Sequence, residues 1–194
     1  EQIQFAEMLR AIKRIADKVT LPITVDIEGG FGNTTKDIVN NIKQIIETGI
    51  VGINLEDSVN RNPELLDVTE FSERIKAIRE LSDSLGIQLV INARTDAFLT
   101  SSGSADSRIA ESIKRGTRYK EAGADCIFVP CVSDVKSISA LVKEIAAPVN
   151  ILANPTNGVE LPPTIKELEE LGVARLSVGS SLMKSTLALI KKVA

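Results

Sequence analysis

Three tetrapeptides constrain the fold most: ETGI at residues 47–50, EAGA at 121–124 and ELGV at 170–173. Each closes a stretch with helical apolar spacing and leads into a short apolar run. A glycine there suits the left-handed backbone just past a helix C-terminus. Each tetrapeptide therefore reads as a helix handing over to a strand. Extended along the chain, the pattern predicts helices over 3–19, 36–48, 69–85, 106–122, 134–146, 163–171 and 181–193. Strands fall between them at 23–27, 51–55, 88–93, 125–129, 148–152 and 174–178. The first helix places Phe5, Leu9, Ile12, Ile15, Ala16 and Val19 on one stripe. Asn33, Thr34 and Thr35 are the cap candidates for the second. Repeated βα units build a parallel sheet with helices outside it. That leaves an open doubly wound sheet or a (β/α)8 barrel.

Strand parity favours the barrel. Alternation puts Thr24, Asp26 and Glu28 on one face of the first strand, Gly52, Asn54 and Glu56 on one face of the second, and Val90, Asn92 and Arg94 on one face of the third. Asn150, Leu152 and Asn154 share a face further on. Polar groups near the C-terminal ends of several strands converge at the top of a barrel, whereas an open sheet gathers them at one switch point. Only six strands are found, the chain opens on a helix, and barrels typically take about 250 residues. The expected fold is thus an α/β (β/α)8 TIM-type barrel of parallel strands lacking its first two, with residues 1–194 as a single, N-terminally incomplete domain. The alternative is an open six-stranded sheet.

Composition narrows the chemistry. Net charge is −3 and aromatics make up 3% of the chain, so a nucleic-acid groove is not expected. No apolar run approaches the roughly 20 residues a membrane span requires. Cys126 and Cys131 lie too close in sequence for a disulfide framework, which points to a reduced, cytoplasmic setting. Both cysteines read as packing residues. The chain has no histidine, which removes Ser-His-Asp triads and His-ligated zinc and leaves Asp, Glu, Lys, Tyr, Cys or water for proton transfer.

The candidate site starts at ITVDIEGGFG, residues 23–32, where Asp26 and Glu28 end an apolar run and a glycine turn follows. Two like charges held that close need a shared proton or a cation. If Glu56 joins them, three oxygen donors suit Mg²⁺, or Mn²⁺ in its place. Arg94 beside them suits an anionic substrate held as a bidentate pair. Two plainer readings stand against this: Arg94 could simply neutralise Glu56, and Asp57 and Asp96 read as turn residues.

These pieces together resemble the isocitrate lyase/phosphoenolpyruvate mutase superfamily. The matching motifs are LPITVDIEGGFG (21–32), GIVGINLEDS (49–58), INARTDAF (91–98), EAGADCIFVP (121–130), ILANP (151–155) and ELGVARLSVGSSL (170–182). The resemblance implies Mg²⁺-dependent making or breaking of C–C or P–C bonds in small 2-oxo acids or phosphonates, through a pyruvate enolate. It implies Asp26, Glu28 and Glu56 as metal ligands and Arg94 and Glu56 as catalytic residues. Substrate contacts are expected from Arg94, Asn92, Asn154, Gly29, Asn60 and Arg61, the last two in a lid running from Asp57 to about Glu70. A homo-oligomer is expected. The loop after Glu56 lacks the Lys-Lys-Cys-Gly-His-like sequence of the isocitrate and methylisocitrate lyases and the Phe-Pro-Lys type of the mutases, which disfavours methylisocitrate cleavage. Hydrolysis or decarboxylation of an oxo diacid such as oxaloacetate is the alternative reaction, and a non-catalytic scaffold the alternative class.

Overall fold

The computed structural model describes residues 3–58, 64–100, 103–153 and 163–193. In chain order the elements are α1 (Phe5–Ala16), β1 (Thr24–Asp26), α2 (Thr35–Ile46), β2 (Gly52–Glu56), α3 (Val68–Ser84), β3 (Val90–Arg94), α4 (Ala97–Thr100), α5 (Ala105–Glu121), β4 (Cys126–Val129), α6 (Val135–Ile145), β5 (Val149–Leu152), α7 (Ile165–Glu170), β6 (Arg175–Ser177) and α8 (Ser181–Val193). Every strand and long helix expected from the pattern is present. The short helix α4 is an addition: four residues are too few for apolar spacing to register.

Local chemistry fixes the boundaries. Thr34 caps α2 in a reciprocal box, accepting from the Asp37 backbone N–H while Asp37 accepts from Thr34. Asp67, Ser104, Asp134 and Thr164 cap α3, α5, α6 and α7 with their side chains. The three glycines of the opening tetrapeptides all adopt positive φ, +93° at Gly49, +109° at Gly123 and +85° at Gly172. The stripe on α1 is narrower than expected. Met8 and Ile12 are buried, but Ile15 and Val19 are 54% and 40% exposed, and the helix stops at Ala16, before Val19.

The strands pair strictly in order, β1 to β6, and every pairing is parallel. A doubly wound sheet must reverse its order somewhere; this one never does. The result is a curled half-barrel. Its curl brings the last strand toward the first, where Arg175 Nη2 donates to Thr24 Oγ1 at 3.4 Å. The outer face carries Ile53, Leu55, Ile91, Ala93, Ile127, Val129, Val149 and Ile151, all nearly solvent-free, packed beneath the helices. Each of the valine, leucine and isoleucine side chains among them contributes about 1.5–3 kcal/mol on burial. The inner face is polar. Registered pairs place Asp26 beside Asn54, Asn54 beside Asn92, and Glu56 beside Arg94. On α8, Leu182, Met183, Leu187, Leu189 and Ile190 are exposed. Among the described residues no helix is long and apolar enough to cross a membrane.

Candidate active site

The turn after β1 is built by its neighbours. Ladder bonds continue past the strand, from Ile27 N–H to Asn54 O (3.1 Å) and from Glu56 N–H to Glu28 O (2.9 Å). Glu28 therefore stays beside Glu56 along the backbone. It sits at φ +48°, however, so simple strand alternation does not govern its side chain. Asp26 Oδ1 accepts the Glu28 N–H at 3.0 Å, which braces the turn from below. Asn41 Nδ2 on α2 donates to both Gly30 O (3.1 Å) and Phe31 O (2.9 Å). Gly30, at φ +97°, has room for nothing larger, since a Cβ there would lie 2.7 Å from Ile38 Cγ2. At Gly29 a Cβ would meet only Ser58 O, at 3.6 Å.

Arg94 organises the mouth. Its Nε and Nη2 fork onto Asp96 Oδ1 and Oδ2 at 2.6 and 3.1 Å, while Nη1 meets Glu56 Oε2 at 3.0 Å. The guanidinium carbon lies 5.9 Å from the centre of the Phe128 ring on the inner face of β4. Burial works against the charge on Arg94, but its bond to Asp96 and the charges of Asp96, Glu56 and Asp26 hold its pKa above the ordinary value. Burial pushes the Glu56 carboxyl up, outweighing Arg94, and Asp96 and Asp26 act in the same upward direction. Ser58 Oγ donates to Glu56 Oε1 at 3.0 Å. Asp26, Glu56 and Asp96 thus share one field with a single arginine.

Two acids are more than turn residues. Asp96 lies past β3 but folds back onto Arg94, and is 3% exposed. Asp57 does point away from Glu56, as parity requires, yet it is wholly buried, against Tyr119 and Arg115 of α5. The plainer reading of Arg94 also has substance, since its pairing with Glu56 is present. Cys126 is buried on the inner face, with its thiol pushed up to about 11 by that burial. The packing expectation fails for Cys131, which is exposed at φ +67° beyond β4; partial burial of its thiol still pushes the pKa up, with Arg94 lowering it and Asp96 raising it. Asn92 is fully buried. Its Nδ2 donates to Asn54 Oδ1 at 2.8 Å, and its Oδ1 has no hydrogen-bond partner among the described residues. Asn60, Arg61 and Asn154 lie outside the described residues.

The donor chemistry fits a hard divalent cation: all carboxylate oxygens, in excess over one guanidinium, with Asp26 exposed to the mouth. Among the described residues no three Asp, Glu, Cys or His side chains close directly on a common point. A cation bound at this mouth would have to keep part of its water, as Mg²⁺ does.

An in-order parallel α/β half-barrel with acids and an arginine at the C-terminal ends of its strands is the site layout of a barrel enzyme. The model of the phosphoenolpyruvate phosphomutase family matches residues 1–194. The chain belongs to that family, within the isocitrate lyase/phosphoenolpyruvate mutase superfamily. It is 30% identical to the 2-methylisocitrate lyase of Escherichia coli K12 over 176 residues, 87% of this chain and 56% of that protein. It is 28% identical to the phosphoenolpyruvate phosphomutase of Tetrahymena pyriformis over 175 residues, 83% of this chain and 54% of the other. The solved structure of a provisionally named phosphonomutase from Burkholderia cenocepacia J2315 superposes with a TM-score of 0.88 at 36% identity, covering 100% of this chain and 78% of its own. The chain spans about half the length of these curated relatives.

Proposed function

We propose that this chain carries the mouth of a divalent-metal-dependent lyase or mutase acting on a small anionic 2-oxo acid or phosphonate. The observation that carries the reading is the placement of Arg94 by Asp96 and Glu56, with Asp26 in the same field. Three of the five N–H groups of Arg94 are engaged by these acids among the described residues. The remaining two, on Nη1 and Nη2, would be the donors for a carboxylate or phosphonate of the substrate.

Asp26 and Glu56, with Glu28 beside them on the backbone, would hold Mg²⁺ or Mn²⁺, in part through water. Bound there, the cation would supply Lewis-acid polarisation of a keto oxygen and charge stabilisation for an enolate. Glu56 has a second role open to it. With no cation bound, its carboxyl, pushed upward by burial, would hold a proton more readily than an ordinary glutamate does. The buried Asn92 offers Oδ1 as an acceptor for a substrate hydroxyl or an ordered water. Gly29 offers backbone without a side chain at the mouth. Asn60, Arg61 and Asn154 stay in the proposal as contacts from the loops after β2 and β5.

The resemblance includes two further strands before residue 1, closing an eight-stranded barrel. The exposed apolar residues of α8 support association with a second copy of the chain, and the two free cysteines support a reduced, cytoplasmic setting. The absence of the lyase-type loop after Glu56 directs attention to oxaloacetate and phosphonopyruvate ahead of methylisocitrate. Turnover of each with Mg²⁺ tests the reading. Activity on one of them, lost in Asp26→Ala, is expected; full metal binding and turnover in Asp26→Ala would overturn it.

A further inference from the structure

Asp57 is the most completely surrounded acid in the described structure. It is 0% exposed. Its Oδ2 accepts from Tyr119 Oη (2.6 Å) and Arg115 Nη1 (3.1 Å), and its Oδ1 accepts the backbone N–H of Asp96 (2.8 Å). The Thr95 side chain is a further donor to the same carboxylate. On the backbone, Asp57 N–H donates to Arg94 O at 3.1 Å and Asp57 O accepts Leu66 N–H at 2.8 Å. Arg115 extends the cluster, with Nη1 also reaching Leu66 O (2.9 Å) and Nε reaching Glu111 Oε1 (2.8 Å). The Tyr119 ring packs edge-on against Phe71, with centres 4.7 Å apart.

A buried ion pair is a poor way to gain stability, since well-packed apolar residues of similar volume do as well or better. What this cluster provides is position. One oxygen of Asp57 is fixed by α5 and the other holds the backbone of the residue whose side chain forks onto Arg94. The carboxylate is a rigid strut from α5 to Asp96, and so to the guanidinium at the mouth.

We propose that Asp57, held by Tyr119 and Arg115, is a positioning residue that sets Asp96 and through it the orientation of the Arg94 guanidinium. Its consequence for ligand affinity rests on the reading of the mouth as an anion site; its consequence for Arg94 does not. Misplacement of a catalytic donor by about an ångström is enough to lose much of its effect. In Asp57→Asn the amide nitrogen faces a donor on one side or the other, Arg115 or the Asp96 N–H. Tyr119→Phe removes one donor to Asp57 and one acceptor of Arg115 Nη1 (3.0 Å) but keeps the ring on Phe71, so it retains the fold even if Asp57→Asn does not.

The test has two independent arms on the folded protein. First, the Arg94 Nε–H resonance, assigned by its loss in Arg94→Lys, is followed by NMR. It should exchange slowly in the parent and at least about tenfold faster in Asp57→Asn and Tyr119→Phe. Second, oxalate affinity with Mg²⁺ is measured by calorimetry. It should weaken about tenfold in Asp57→Asn and about threefold in Tyr119→Phe, with little added loss when either is combined with Asp96→Asn. Unchanged Arg94 exchange in folded Tyr119→Phe would overturn the proposal, as would losses that add fully to that of Asp96→Asn. A parent that binds no oxalate would sink the reading of the mouth instead, with the exchange arm still deciding the strut.

Discussion

Arg94 is the residue on which the mouth turns, and its geometry distinguishes it from a generic positive charge. Fork pairing to Asp96 and a separate bond to Glu56 need a planar guanidinium with several donors. Arg94→Lys should keep the charge and the fold yet weaken binding of oxalate with Mg²⁺ by at least about tenfold, read by calorimetry. Equal affinity would mean that the fork has no part in ligand binding. The sequence made Arg94, Glu56 and Asp26 visible because parity on parallel strands is short-range information. Asp57 was assigned to the correct side and the wrong role for the opposite reason. Its partners, Arg115 and Tyr119, stand 58 and 62 residues further on, on a helix whose packing no local period specifies. Asp96 reads from the sequence as a turn residue because it follows the strand, where alternation no longer says which way a side chain turns.

At the scale of elements, the turn after β1 separates glycines by need. Gly30→Ala must accommodate a Cβ at φ +97° against Ile38, itself solvent-free in the core, and should destabilise by roughly 1–3 kcal/mol in urea unfolding. Gly29→Ala should fall well below that, since only ordinary contact with Ser58 O awaits it. Equal losses would show that the turn is not held where Asn41 and Ile38 hold it. The helix caps add a pH-dependent element. Asp67 Oδ1 accepts the Thr69 and Glu70 N–H groups at the start of α3, and these bonds hold its carboxyl below the usual range. A lowered folded pKa means that the stabilisation is present above the unfolded value of about 3.9 and is lost as pH falls through the folded value. The melting temperature of Asp67→Ala should therefore trail the parent clearly at pH 7, with the gap closing in acid. A gap independent of pH would assign the effect to helix propensity rather than to the ionised cap. The cap of α2 is legible in the sequence, because Asn33, Thr34 and Thr35 stand just ahead of an apolar period. The exposure of Ile15 is not, because apolar spacing says which residues share a face and not whether another element covers it.

On the scale of the molecule, the in-order parallel sheet explains why residues far apart in sequence share one mouth. Asp26, Glu56 and Arg94 lie at the C-terminal ends of three successive strands, and the curl aims them inward. The alternation of helix and strand is legible in the repeated tetrapeptides and the barrel-type winding in strand parity; the approach of Arg175 to Thr24, 151 residues apart, is not, since no local period reaches that far. The central claim is that this mouth binds a small oxo-acid dianion together with a divalent cation. Calorimetric titration of oxalate, with and without Mg²⁺, into the protein and its Asp26→Ala variant tests it most directly. Binding should require Mg²⁺ and be lost in Asp26→Ala. Oxalate binding of equal strength without the cation, or unchanged in Asp26→Ala, would contradict it.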